Sequence, residues 1–164
     1  LMDAETFKKR MGSGGSSSAK TPSATPPATS TPKTTVELSA EERQLLTLIN
    51  NERAKAGLAA LQVDPELMKV ARTKANDMVQ NNYFSHYSPT YGSPFDMMRQ
   101  FGISFKAAAE NIAGNSTIQG AVNAWMNSSG HKANILNGSY NYTGIGIARS
   151  NKYGYVFVQM FIKK

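Results

Sequence analysis

Near its C-terminus the chain carries a run that is apolar on both faces of a strand. With the two-residue period of β structure, Val156, Val158, Met160 and Ile162 point one way while Tyr155, Phe157 and Phe161 point the other. Such a strand needs cover on both sides. Gly144-Ile145-Gly146-Ile147-Ala148 precedes it, and the turn residues around Asn151 to Gly154 predict an antiparallel hairpin between the two. Leu61-Gln62-Val63 and Glu110 to Ala113 are the candidates for further short strands.

Segments of helical period supply the cover. Ser39-Ala40-Glu41-Glu42 has the spacing of a capping box and predicts a helix whose inward stripe is Leu45, Leu48, Ile49 and Arg53, with Gly57 as its stop. Asp64-Pro65-Glu66 opens a second helix with Leu67, Val70, Ala71, Ala75 and Met78 on its apolar face. Ser93-Pro94-Phe95-Asp96 starts a shorter third that Gly102 ends. A fourth carries Ile118, Ala121, Val122, Trp125 and Met126 at amphipathic spacing. Helices on both faces of an antiparallel sheet predict an α+β fold, a three-layer α-β-α sandwich with a central antiparallel sheet.

The N-terminal part does not belong to that core. Residues 12–35 consist almost wholly of Gly, Ser, Thr, Ala, Pro and Lys, so residues 1–38 read as a flexible Ser/Thr/Pro-rich tail and linker. The domain is expected over residues 39–164, large enough to fold without a metal or disulfide staple. A Thr-Pro-rich spacer of this kind commonly holds an exported domain off a membrane or wall, which points to an extracellular or cell-surface location. No apolar run reaches the roughly 18 residues of a membrane helix, so no transmembrane segment is expected. The formal net charge is +7, and the tail's five basic against three acidic residues leave +5 for the domain. Its basic residues, Lys74 and Arg53 among them, are scattered and read as a solvated surface, with attraction to an anionic wall, membrane or nucleic acid as the alternative. The chain has no cysteine, which excludes disulfides and a thiol nucleophile.

Only two histidines occur, each in a loop-like segment beside an apolar helix. His86 lies in Phe84-Ser85-His86-Tyr87-Ser88-Pro89. His131 lies in Ser128-Ser129-Gly130-His131, near the start of a short helix for which Ser128 or Ser129 is the expected cap. A helix N-terminus disfavours imidazolium and so leaves a ring nitrogen available, as a metal ligand requires. Glu110 sits among Ala107, Ala108, Ala109 and Ile112; a carboxylate headed into such surroundings needs a partner, and a histidine or a metal would serve.

Leu48-Ile49-Asn50-Asn51-Glu52-Arg53, Leu67 with Ala71, Phe84-Ser85-His86, Ala109-Glu110-Asn111-Ile112-Ala113, Trp125, Ser129-Gly130-His131 and Gly144-Ile145-Gly146 stand in an order and spacing that resembles the CAP superfamily, the cysteine-rich secretory protein, antigen 5 and pathogenesis-related 1 proteins, also called the SCP domain. The resemblance covers about residues 40 to 162, and the compact cysteine-free form looks like the bacterial branch. It implies an α-β-α sandwich whose central cleft holds two histidines and two acids, which in some members bind zinc or another divalent cation. His86, His131 and Glu110 match three of these and are the expected metal ligands. The second acid would stand three residues after the tryptophan, where this chain has Ser128, so weaker metal affinity is expected.

Two functional readings follow. A binding module is favoured, engaging a cell-wall component, a lipid or a protein, because the resemblance implies lipid, sterol and protein binding without one shared reaction. It is expected to be a monomer. The alternative is a hydrolase acting on peptide or wall substrates, either with a metal on His86, His131 and Glu110 or with Ser128 or Ser129 as nucleophile, His131 as base and Glu110 as orienting acid. Neither a His-Glu-x-x-His helix nor a Gly-x-Ser-x-Gly turn supports it. No specific nucleic-acid binding is expected, since no basic helix or finger is present. Tyr87, Tyr91, Asn111, Asn134 and Gln159 are further candidates for lining the cleft.

Overall fold

The computed structural model describes residues 37–164 and the backbone of Phe7–Arg10; the linker expected over residues 12–35 lies outside the described residues. In chain order the elements are β1 (Phe7–Arg10), α1 (Ala40–Lys55), β2 (Gln62–Val63), α2 (Pro65–Gln80), α3 (Pro94–Gln100), β3 (Ala107–Asn115), α4 (Ile118–Met126), α5 (Ser129–Ile135), β4 (Tyr142–Ser150) and β5 (Gly154–Lys163). The strands form one sheet in the order β1-β3-β5-β4-β2. All pairs are antiparallel except β2 with β4, a two-residue parallel pairing of Gln62 with Tyr142 and Val63 with Thr143.

The expected hairpin forms, with β5 at the centre of the sheet, paired on one side with β3 and on the other with β4. Its two faces meet different helices. Val156, Val158, Met160 and Ile162 pack with α2 and α3 residues such as Val70, Ala71, Ala75 and Met98. Phe157 and Phe161 pack with Leu45 and Ile49 of α1, Val122 and Trp125 of α4 and Ile135 of α5. The three layers are therefore a helical layer of α2 and α3, the sheet, and a layer of α1, α4 and α5.

Local chemistry fixes where the helices start. Ser39 Oγ accepts from the Glu42 N–H at 3.1 Å while the Glu42 carboxylate accepts from the Ser39 N–H at 2.9 Å, the expected capping box. Asp64 Oδ1 takes the N–H groups of Glu66 and Leu67 at the start of α2. Such a cap is worth about 1 kcal/mol. α2 then lies directly on the backbone of β4. A Cβ added at Gly144 would come within 2.3 Å of the Leu67 carbonyl oxygen, and one at Gly146 within 2.1 Å of that of Ala71. Only hydrogen fits at these two positions, and this close approach sets the depth at which α2 carries its polar residues over the sheet.

β3 is longer than expected, running nine residues against β5 rather than four. β1, from the segment read as tail, pairs with its outer edge in the register Phe7 to Glu110 and Arg10 to Ala107. The basic residues are not all solvated: Arg53 and Lys74 are buried. Arg53 donates to the carbonyls of Ala59, Ile135, Asn137 and Tyr140, tying the end of α1 to the segment after α5.

Candidate functional site

After α2 the chain turns at Asn82, whose φ of 54° puts it in the left-handed region that asparagine tolerates better than most residues. The following loop is short of backbone pairing. Ser88 and Gly92 form its one isolated bridge, at 2.8 and 3.0 Å. Two polar side chains one helical turn apart on α2 hold it instead. Lys74 Nζ donates to the His86 carbonyl at 2.7 Å. The Asp77 carboxylate accepts from Asn81 Nδ2 and Ser88 Oγ, each at 2.6 Å, and from the Tyr83 hydroxyl. Ser88 Oγ in turn takes the N–H groups of Thr90 and Tyr91.

These contacts settle the charges. Burial acts to raise the Asp77 pKa, but the hydrogen bonds from Ser88, Tyr83 and Asn81 outweigh it and leave the carboxyl below its ordinary value. Tyr83 moves up, through burial and then through its bond to Asp77. Burial lowers the Lys74 pKa, opposed by the charges of Glu110 and Asp77. The Tyr83 ring, 5.1 Å from Lys74 Nζ, adds a cation–π contact.

His86 is thereby delivered to β3. Its Nδ1 lies 2.7 Å from Glu110 Oε1, with the two side chains 2% and 0% exposed. An ionised carboxylate can only accept, so with Glu110 ionised the proton of that bond sits on Nδ1. Glu110 Oε2 is buried with no hydrogen-bond partner. The partner expected for Glu110 is thus a histidine, and Lys74 adds a cation that the charge survey had left on the surface. Its signal was present in the sequence: position 74 follows Val70 and Ala71 by four and three residues and precedes Met78 by four, so it lies within the apolar stripe of α2.

His131 is held by a second set of contacts. Ser128 does occupy the N-cap position of α5, but its side chain makes no capping bond. Its hydroxyl lies 2.9 Å from His131 Nδ1, so the serine at the expected second-acid position keeps a contact to the imidazole in neutral form. Asn111 Nδ2 donates to the His131 carbonyl at 3.1 Å, and Asn134 Nδ2 donates to Asn111 Oδ1 at 2.9 Å. Trp125 Nε1 donates to the Ile112 carbonyl and fixes α4 to the same strand.

The other sequence candidates divide. Asn111, Asn134 and Gln159 are fully buried, and Gln159 Nε2 bonds Thr143 rather than either histidine. Tyr91 is half-buried against Phe101. Tyr87 is 58% exposed, the only large apolar residue so exposed among the described residues.

The structure therefore joins His86 to Glu110 and His131 to Ser128. Among the described residues no group of three or more His, Asp or Glu side chains is placed to hold a metal ion. With Ser128 in place of an acid and no third ligand brought to the histidines, the described residues do not assemble a donor set for a divalent cation.

Comparison with known proteins places this arrangement. Residues 46–161 match the cysteine-rich secretory protein family, CAP. The Bacillus subtilis protein YkwD is 52% identical over 128 residues, covering 77% of this chain and 49% of that protein. The Bacillus subtilis membrane protein YlbC is 43% identical over 125 residues, covering 75% of this chain and 34% of that protein. The chain thus spans about half or less of the length of these relatives. Among solved structures, an extracellular protein containing an SCP domain from Bacillus anthracis superposes with a TM-score of 0.69 at 32% identity, covering 79% of this chain and 45% of that one. An outer surface protein from Borrelia burgdorferi gives 0.71 at 26% identity, covering 79% and 96%. No helix among the described residues is long and apolar enough to cross a membrane.

Proposed function

Since the chain belongs to the cysteine-rich secretory protein (CAP) family, we propose that it works outside the cell as a binding module whose ligand is met by the loop beside His86. The extracellular and outer-surface descriptions of its structural neighbours support the location. One observation carries the rest: Tyr87 is exposed, yet it is flanked on both sides by residues pinned to α2, His86 through Lys74 and Ser88 through Asp77. An aromatic side chain on an anchored backbone gives up less conformational freedom on binding than one on a free loop, and tyrosine is common at interaction hot spots. The excess of +5 in the domain favours an anionic ligand, a cell-wall polymer or an anionic lipid surface, ahead of a protein.

The test is co-sedimentation of the protein with purified cell-wall sacculi and, separately, with anionic lipid vesicles. Binding to either particle that is weakened in Tyr87→Ala, with the fold unchanged by circular dichroism, is the expected result. Binding to neither particle, or equal binding by the variant, would remove the loop from the function.

A hydrolase remains the second reading because Ser128 Oγ and His131 Nδ1 stand at nucleophile-to-base distance, 2.9 Å. The acid expected to orient that base, Glu110, bonds His86 instead. Ester or peptide hydrolysis abolished in Ser128→Ala would establish this reading; its absence in the wild type would retire it.

A further inference from the structure

Lys74 is only 1% exposed, yet its side chain carries an ammonium group. A buried charge is tolerated only where other groups replace its hydration. Here the replacements are specific: the His86 carbonyl at 2.7 Å and the Tyr83 ring, with the charges of Asp77 and Glu110 acting at longer range. The need is mutual. Asp77 is satisfied by three hydrogen bonds, whereas Glu110, 0% exposed, has one oxygen on His86 and the other without a hydrogen-bond partner. Glu110 is the carboxylate that depends on a nearby positive charge.

We infer that Lys74 is the resident cation of the His86–Glu110 site: its ammonium takes the electrostatic place a divalent metal would need, and its bond to the His86 carbonyl positions the imidazole on Glu110. Two features of the chain agree with this. Ser128 supplies a neutral hydroxyl where a second acid would raise the site's attraction for a cation. The loop carrying His86 has little backbone pairing of its own, so the Lys74 bond is one of the few that fix where His86 sits. Lys74 is on this account a positioning residue, and the inference holds whatever the Tyr87 loop binds.

The experiment uses the whole chain in two readouts. Zinc is titrated by calorimetry into chelator-treated wild type and into the Lys74→Met, Ser128→Glu double variant, with the His86→Ala single variant as control. No saturable binding in the wild type and one-site binding in the double variant are expected. A saturable wild-type site lost in His86→Ala would overturn the inference.

The second readout is amide hydrogen exchange. In Lys74→Met the amides of residues 83–92 should exchange about tenfold faster or more, with β5 unchanged. The chain has no cysteine, so Lys74→Cys can be alkylated with bromoethylamine in denaturant and refolded, which rebuilds an ammonium at nearly the same reach. Slow exchange restored by that treatment is expected; unchanged exchange in Lys74→Met, or no recovery on restoring the ammonium, would overturn the positioning role. Should Lys74→Met fail to fold, the wild-type titration and the alkylated protein still decide.

Discussion

Glu110 and Asn111, neighbours on β3, hold the two histidines, the first by the ring of His86 and the second by the carbonyl of His131. Successive residues of a strand face opposite sides of the sheet. One strand therefore anchors the loop after α2 on one side and the start of α5 on the other, through adjacent residues.

Replacing Glu110 by glutamine keeps the shape and removes the charge, leaving Lys74 less compensated in the interior. Leaving a buried charge less compensated in this way costs about 3 kcal/mol. Urea denaturation is expected to show a midpoint lowered accordingly, and an unchanged midpoint would mean that the carboxylate does not balance the lysine.

Much of the fold was legible because the signals were local or strictly periodic. The two-faced alternation of β5 implied cover on both sides, and the caps at Ser39, Asp64 and Ser93 each act within three residues of their own position. β3 was harder to bound, because its alanines carry little strand preference and its length comes from pairing with β5. The histidines and Glu110 could be named from motif order, but not their pairing. Whether the Ser128 hydroxyl caps α5 or turns to His131 depends on one side-chain rotation that no spacing encodes. Lys74 was misplaced with the surface charges because a carbonyl of the following loop replaces its solvation, whereas Arg53 stood on the inward stripe of α1 but its partners, carbonyls distant in sequence, were not legible.

Gly146→Ala tests the contact between α2 and β4. The added methyl group would lie 2.1 Å from the Ala71 carbonyl oxygen, which is backbone and cannot rotate away. Overpacking of this kind costs about 1–3 kcal/mol or more. A thermal melt should show a clear fall in midpoint, and an unchanged one would mean that α2 is free to lift from the strand.

Acid should unfold the protein partly through two carboxyls. Burial acts to raise the Glu42 pKa, but its bonds to Arg72 and Ser39 win and leave it below the ordinary 4.5; Asp77 lies below its ordinary 3.8. A carboxyl depressed in the folded state stabilises the fold above its unfolded pKa, and that stability is lost as pH falls through the folded value. The loss therefore begins below about pH 4.5. Urea midpoints measured across this range should fall less steeply in Glu42→Gln than in the wild type, and parallel slopes would assign acid unfolding to other groups.

Arg53 offers the most severe substitution outside the histidine site. Its guanidinium serves four carbonyls from three stretches of chain, with Ile135 and Asn137 lying at the end of α5, where helix carbonyls lack partners of their own. Lysine in its place would bring one compact charge to a site shaped for a planar fork, and methionine would bring none. With each buried acceptor left unpaired costing about 1–3 kcal/mol, Arg53→Met should lose more than about 3 kcal/mol. The loss should also have a place: amides of α5 and of residues 136–141 should exchange faster while those of α2 keep their protection. Because α5 carries His131, the His131 imidazole resonances should shift in the same variant. Uniform loss of protection over all helices would show instead that Arg53 supports the whole core and not the seating of α5.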